Sequence, residues 1–345
     1  MKSKKMLFIS IFAIAILMAL LVLMSSCSSN EEITYSIISS DNTTDDGLKY
    51  SVYENNTILI TGRTNEDSEL KIPDEIDGKK VVEIGKEAFQ DDNAIVVLTI
   101  GKNVNVIKED AFNSCSALAI VHAPEKLRKI NASAFYNCEK LAEFKGAKNI
   151  ETIGETAFYG CFSLSYFDFP ETLISIDNEA FSGCEKLTEI MLPKKLEKLG
   201  VGVFSFCTAL TKVTIESKIE TVPMQTFLMC PYLETLVIPS SVKTIEEHAF
   251  RGAKNLKEIY LFKGIEVIGD AAFAQCPSLQ NIYYEGSESE YKKIKIDESN
   301  DSFFRLEAET EDTEKTETSA DDEPIYTDEP APSIVKISYN QKIKK

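Results

Sequence analysis

The cysteines at 115, 138, 161, 184, 207, 230 and 276 are the residues best equipped for chemistry, since an ionised thiol can ligate a metal, attack a substrate or form a disulfide. Their spacing argues against a metal centre. Thiolate sites use clustered ligands such as Cys-x-x-Cys, whereas these neighbours stand 23 residues apart, or 46 across Ala253. Two readings stay open: bridges between stacked copies, against which the odd number counts, or a column of free buried thiols that alanine can replace. The two histidines, His122 and His248, lie in no nucleophile motif. Asp41 to Gly47 has the composition of a calcium loop, but its glycine comes one place late and Val52 stands where the bidentate glutamate belongs. No metal, no cofactor and no catalytic set is expected, so an enzyme is the weakest reading. With 37 basic against 55 acidic residues the chain carries −18, which repels phosphate backbones, and no nucleic acid partner is expected.

The elements that place these thiols follow from a repeat. Phenylalanine occurs at 89, 112, 135, 158, 181, 204, 227, 250 and 273, always 23 apart. Three residues after each comes cysteine, except at Asp92 and Ala253, and three further on an aliphatic residue, from Ile95 and Leu118 to Leu279. The structural repeat set is thus Phe112, Cys115, Phe135, Cys138, Phe158, Cys161, Phe181, Cys184, Phe204, Cys207, Phe227, Cys230, Phe250, Phe273 and Cys276. Within a copy, Ile190 and Leu192 alternate with outward residues, the period of a strand with one buried face, and Pro193 ends it. A second apolar pair, such as Leu173 and Ile176, precedes the turn carrying Ala-Phe. About eight inward residues per copy cannot close a core alone, so copies must stack as a solenoid. At ~4.8 Å per strand, nine copies predict one parallel sheet of roughly 40 Å and place His122 and His248 roughly 29 Å apart.

The pattern Cys-x-x-Leu-x-x-Ile-x-Leu-Pro, then Leu-x-x-Ile-x-x-x-Ala-Phe, resembles the leucine-rich repeats of the Treponema pallidum and BspA-like class over residues 84–284. That resemblance implies a right-handed leucine-rich-repeat horseshoe with a parallel β-sheet on the concave face and short helical or 3-10 turns on the convex side. It also implies an adhesin-like binding role, by analogy alone. Residues 48–83 are expected to form an N-terminal cap, with a strand pair turning at Glu54-Asn55-Asn56. A C-terminal cap is expected at 285–306, where Ser287-Glu288-Ser289-Glu290 reads as a capping box. The final cap strand and basic tail fall at 334–345, because Val335 to Asn340 is similar to that family's closing strand. Between them, residues 307–333 hold eleven acids, one lysine and three prolines and read as a disordered acidic insertion.

The eighth cysteine, Cys27, has another setting. Lys2, Lys4 and Lys5 precede an uncharged apolar run from Leu7 to Met24, the layout of an export signal. Met24-Ser25-Ser26-Cys27 resembles the lipobox of bacterial lipoproteins. The implied parts are a signal peptide at 1–26, lipidation at Cys27, a polar tether at 27–47, and a location on the extracellular face of a bacterial membrane. The apolar run also reaches the ~18 residues of a membrane helix, so an uncleaved anchor remains the alternative. Without residues 1–26 the chain holds 34 basic and 55 acidic residues, or −21.

Residues five and seven after each cysteine position point away from the core in two columns whose identities vary from copy to copy. Tyr166, Met191, Val237, Tyr260 and Tyr283 are the candidate ligand-binding residues there, for tyrosine offers contact area at little entropic cost. The competing reading makes them cross-strand pairs that stabilise an open sheet face. Two functions follow: a surface-tethered module binding a host or neighbouring-cell protein or glycan, with the membrane engaged through lipid alone, or a non-catalytic structural spacer with no dedicated ligand.

Overall fold

Every copy of the repeat turns sharply twice, at the residues two before and two after its phenylalanine, and both columns hold positive φ throughout. Glu179 (φ 53°) and Gly183 (φ 76°) flank Phe181, and Phe206 (φ 58°) and Met229 (φ 57°) continue the second column. The computed structural model in which these turns are seen describes residues 35–300 and 335–343; residues 1–26, Cys27 and the acidic stretch 307–333 lie outside the described residues. The chain divides at Ile37/Ile38, and the unit Ile38–Lys345 carries the repeats.

Between the turns, each copy but the fourth contributes two strands to a parallel β-solenoid with almost no helix. The longer strands run Glu69–Ile72, Val97–Ile100, Ile120–His122 and Glu143–Lys145, then Glu189–Leu192 and Lys212–Ile215, then Thr235–Ile238, Glu258–Leu261, Asn281–Tyr284 and Lys336–Ser338. The short ones are two residues each, from Val106–Ile107 to Val267–Ile268. Register advances by one copy per strand, as in Leu236↔Ile259↔Ile282. Inward residues of both strands join one core cluster, and eight of the phenylalanines are among its largest fully buried side chains.

The nine phenylalanine rings form an unbroken stack, with centroids 5.1 Å apart at Phe89–Phe112 and 5.7 Å at the widest step, Phe181–Phe204. All seven described cysteines are free and buried. Each thiol donates to the carbonyl of the phenylalanine one coil back: Cys115 Sγ to Phe89 O at 3.0 Å, Cys161 Sγ to Phe135 O at 3.2 Å, Cys276 Sγ to Phe250 O at 3.5 Å. The repeat's strongest sequence signal is therefore a hydrogen-bond ladder between coils as well as small apolar packing.

The longer-strand sheet differs from the single uninterrupted sheet that equal spacing predicts. It is broken into segments of four, two and four strands. Residues 166–169 contribute only the bridge Glu143↔Tyr166. At the first break the inward positions differ, for Phe144, Phe167 and Phe169 replace aliphatic residues and turn edge-on to the phenylalanine stack, Phe144 at 5.5 Å from Phe135 and Phe167 at 4.9 Å from Phe181, whereas the second break falls between strands with aliphatic inward residues. Rings of that size hold the backbone away from its neighbours. At Gly146 (φ 103°) the chain then passes so close to Ala123 that an added Cβ would lie 2.1 Å from its carbonyl oxygen.

At the N-terminal end the polar stretch 39–47 is not a tether. Ile37–Thr43 forms a strand on the edge of the short-strand sheet, and the hairpin Leu48–Tyr53 with Ile58–Arg63 joins it to the first coil. Asp92, at the first coil's cysteine position, pairs with Arg63 through Nε to Oδ2 at 2.6 Å and Nη2 to Oδ1 at 2.7 Å, an ion pair where other coils have a thiol. At the other end Ser287 caps the helical turn Glu288–Tyr291, and Lys336–Ser338 pairs with Asn281–Tyr284 as the last parallel strand.

Candidate recognition surface

On a half-buried sheet face, alternation puts every second residue of a strand into solvent. The longer strands keep that rule from end to end: Leu98, Ile190, Leu236 and Ile282 are buried, while Thr99, Glu189, Val237 and Lys336 are outside. Tyr166, Met191 and Val237 are 63, 54 and 39% exposed. Val237, Tyr260 and Tyr283 face one another in register on three consecutive strands. Tyr166 stands in the other column, on the interrupted fourth coil, and Met191 is separated from Val237 by Thr214 and by the second break in the sheet. The five candidates therefore make one contiguous trio and two outlying exposed side chains.

The trio is built around a carboxylate that the candidate set lacks. Tyr260 and Tyr283 stack at 4.6 Å with their planes 19° apart. The Tyr260 hydroxyl donates to Glu258 Oε2 at 3.0 Å and the Tyr283 hydroxyl to Oε1 at 3.4 Å. Burial beneath the neighbouring ring, followed by the Glu258 charge and its hydrogen bond, pushes both phenols above their usual range, so they remain neutral donors. Glu258 was visible in the sequence as a variable outward residue with Tyr260 two places along its own strand, but nothing in its copy signals that Tyr283 reaches back to it from the next coil. Elsewhere on this face acids meet lysines: Lys145 pairs with Glu143, and Lys212 lies 3.7 Å from Glu189.

The seven described thiols are held protonated at neutral pH. Burial is the largest cause of their shifts, pushing Cys115, Cys230 and Cys276 up to about 12 and the four between them well above their ordinary value. His122 is exposed on the longer-strand face. His248 sits at a left-handed turn with Glu247 and Asp270, their ligating atoms within 4.8 Å of one another. Its Nδ1 is 3.4 Å from Glu247 Oε1, but its Nε2 is 3.4 Å from the Arg251 guanidinium, whose charge opposes a metal ion there. Three aromatics that the sequence reading missed, Phe162, Phe206 and Tyr232, are exposed near the turn after the phenylalanine. The recurrence of glycine at 160, 183 and 252 is the signal that could have marked that turn as left-handed.

A family model described as "BspA type Leucine rich repeat region" matches residues 82–204 and 174–295, in six copies. No curated protein matches the chain significantly. Among solved structures, a leucine-rich repeat protein from Bacteroides ovatus is similar at 23% identity and a TM-score of 0.54, over 74% of this chain and 67% of that one. A leucine rich cell surface protein from Faecalibacterium prausnitzii is 20% identical with a TM-score of 0.41, over 74% of this chain and 97% of that one. The T. pallidum leucine rich repeat protein is 24% identical with a TM-score of 0.41, over 69% and 90%. The Bacteroides likeness shows a shared fold.

Proposed function

The chain belongs to the BspA-type leucine-rich repeat family, and on that premise we propose that it is a non-catalytic recognition module, lipid-anchored through Cys27 at the extracellular face of a bacterial membrane. Its longer-strand face engages a host or neighbouring-cell protein or glycan in the manner of an adhesin. The observation that carries this reading is the contrast between the two sides of one sheet. Inward positions stay apolar in every coil but for Gly146, whereas the outward ones vary and include the tyrosine stack, the adjoining Val237 and the outlying, exposed Tyr166 and Met191. The Faecalibacterium neighbour's description as a cell surface protein agrees with the address that the lipobox implies.

The stack itself favours the second reading, a spacer without a ligand, because a cross-strand aromatic pair stabilises a sheet by about 0.2–1 kcal/mol whatever it faces. One experiment separates the two. Tyr260→Ala with Tyr283→Ala is expected to abolish capture of host matrix proteins or arrayed glycans while lowering stability by no more than about 2 kcal/mol. Capture equal to that of the parent chain retires the recognition face in favour of the spacer.

A further inference from the structure

Of the four acids in the outward columns, Glu143 and Glu189 have a lysine beside them, Asp168 stands exposed on the interrupted fourth coil with no ion pair among the described residues, and Glu258 alone is held by two hydroxyls. Its in-register neighbours, Thr235 and Asn281, are neutral. Lys257, next in sequence, turns to Glu234 at 3.6 Å. Lys336 shares Glu258's column but stands two strands away, ~10 Å at the strand spacing. Among the described residues no basic group lies within salt-bridge distance of this carboxylate. Two neutral hydroxyls hold it instead, and they leave about half of its lone-pair positions open toward solvent.

A carboxylate fixed without a counter-ion beside a pair of stacked rings has a defined complement. A guanidinium can bond the free carboxylate positions in a fork and lie against a tyrosine face, where the ring's negative potential attracts it. A lysine ammonium satisfies the charge but not the planar stacking, and a neutral sugar satisfies the rings but leaves the charge unmatched. The surrounding surface works in the same direction, since a chain of net charge −18 steers cations toward itself.

We infer that Glu258, Tyr260 and Tyr283 form an arginine-reading subsite, and that the partner of this face is a basic polypeptide segment presenting an arginine side chain to it. The inference rests on the recognition reading above and narrows its ligand class from protein or glycan to an arginine-bearing protein.

The test uses the full chain and three short probe peptides: alternating Arg and Ser, the same sequence with citrulline for Arg, and the same with Lys. The arginine peptide binds, and citrulline, which keeps the shape and loses the charge, weakens binding by at least about tenfold, or ~1.4 kcal/mol. Lysine falls between. Glu258→Gln, which preserves the shape beneath the rings, produces the same loss, whereas Glu189→Gln, removing an acid already paired with Lys212 on the same face, changes binding by less than about twofold. The subsite is overturned if the arginine peptide fails to bind, if citrulline binds equally, or if Glu189→Gln costs as much as Glu258→Gln, which would reduce the effect to general acidity. Should Glu258→Gln spare the capture of matrix proteins and glycans that Tyr260→Ala plus Tyr283→Ala removes, the arginine ligand falls and the recognition face stands. Should the tyrosine pair also prove dispensable, both fall.

Discussion

A column of seven buried thiols makes this protein sensitive to base in a way its surface charge does not. In the folded chain burial holds Cys115, Cys230 and Cys276 protonated to about pH 12 and the other four beyond their ordinary range, while an unfolded cysteine ionises near its usual 9.0. A pKa raised by folding contributes stability in full below the unfolded value and loses it as pH climbs toward the folded one. Between pH 9 and 12 the unfolded chain therefore sheds protons that the folded chain keeps. Each thiol lowers the unfolding free energy by about 1.4 kcal/mol per pH unit in that window, and seven together by about 10. Integrated from pH 7, the loss is about 3 kcal/mol at pH 9 and about 10 at pH 10, against a domain stability of about 5–15. Tyrosines held above their usual range, such as Tyr53 and Tyr291, act with the same sign but only above about pH 10.

Urea titrations followed by far-ultraviolet circular dichroism, under reductant from pH 7 to pH 10, read this slope directly. The parent chain is expected to lose its cooperative transition between about pH 9 and 10.5. Cys161→Ala lowers the slope by about 1.4 kcal/mol per pH unit, and four replacements at Cys138, Cys161, Cys184 and Cys207 bring it to about 4. Ala253, fully buried at the same place in its own coil, shows that alanine fits there, so the slope is measurable even where the removed packing lowers overall stability. A parent slope below about 3 kcal/mol per unit, or one that the four replacements leave unchanged, refutes the assignment of alkaline lability to this column.

Two further outcomes are expected. Phe158 touches four rings, stacked on Phe135 and Phe181 and edge-on to Phe144 and Phe167, whereas Phe112 is stacked between Phe89 and Phe135 alone; Phe158→Ala should cost about 4–5 kcal/mol and Phe112→Ala about 1 less, and equal urea midpoints would mean that the edge-on rings contribute nothing. Cys27→Ala should abolish incorporation of a labelled fatty acid into the protein in a bacterial host and release it from the membrane fraction, and retention of the label would remove the lipid anchor from the proposed function.

How much of this was legible before any coordinates depends on which neighbour decides a residue. Inward positions are decided by their equivalents one coil away, and the same constraint recurs in every coil, so the phenylalanine stack, the buried cysteines and the alternation around Ile190 and Leu192 could be read from spacing. The left-handed turns were legible only in part. Gly183 marks the position openly, but Phe206 and Met229 occupy the same conformation with side chains that conceal it. The first break in the sheet was hidden for a related reason, because Phe144, Phe167 and Phe169 satisfy an apolar pattern that ignores size.

The outward columns are free of the stack's constraint, and nothing in it repeats their information. Tyr260 and Tyr283 could be placed side by side from the repeat length, since register equals spacing in a solenoid. Their grip on Glu258 could not, because it joins different columns, within one strand for Tyr260 and across adjacent strands for Tyr283, and depends on how far each phenol extends. The same physics explains why the face can carry specificity at all. Its residues cross-link coils weakly, so exchanging them costs folding little, and a cluster such as Glu258 with its two tyrosines can arise in two neighbouring coils while the other seven keep their stack unchanged.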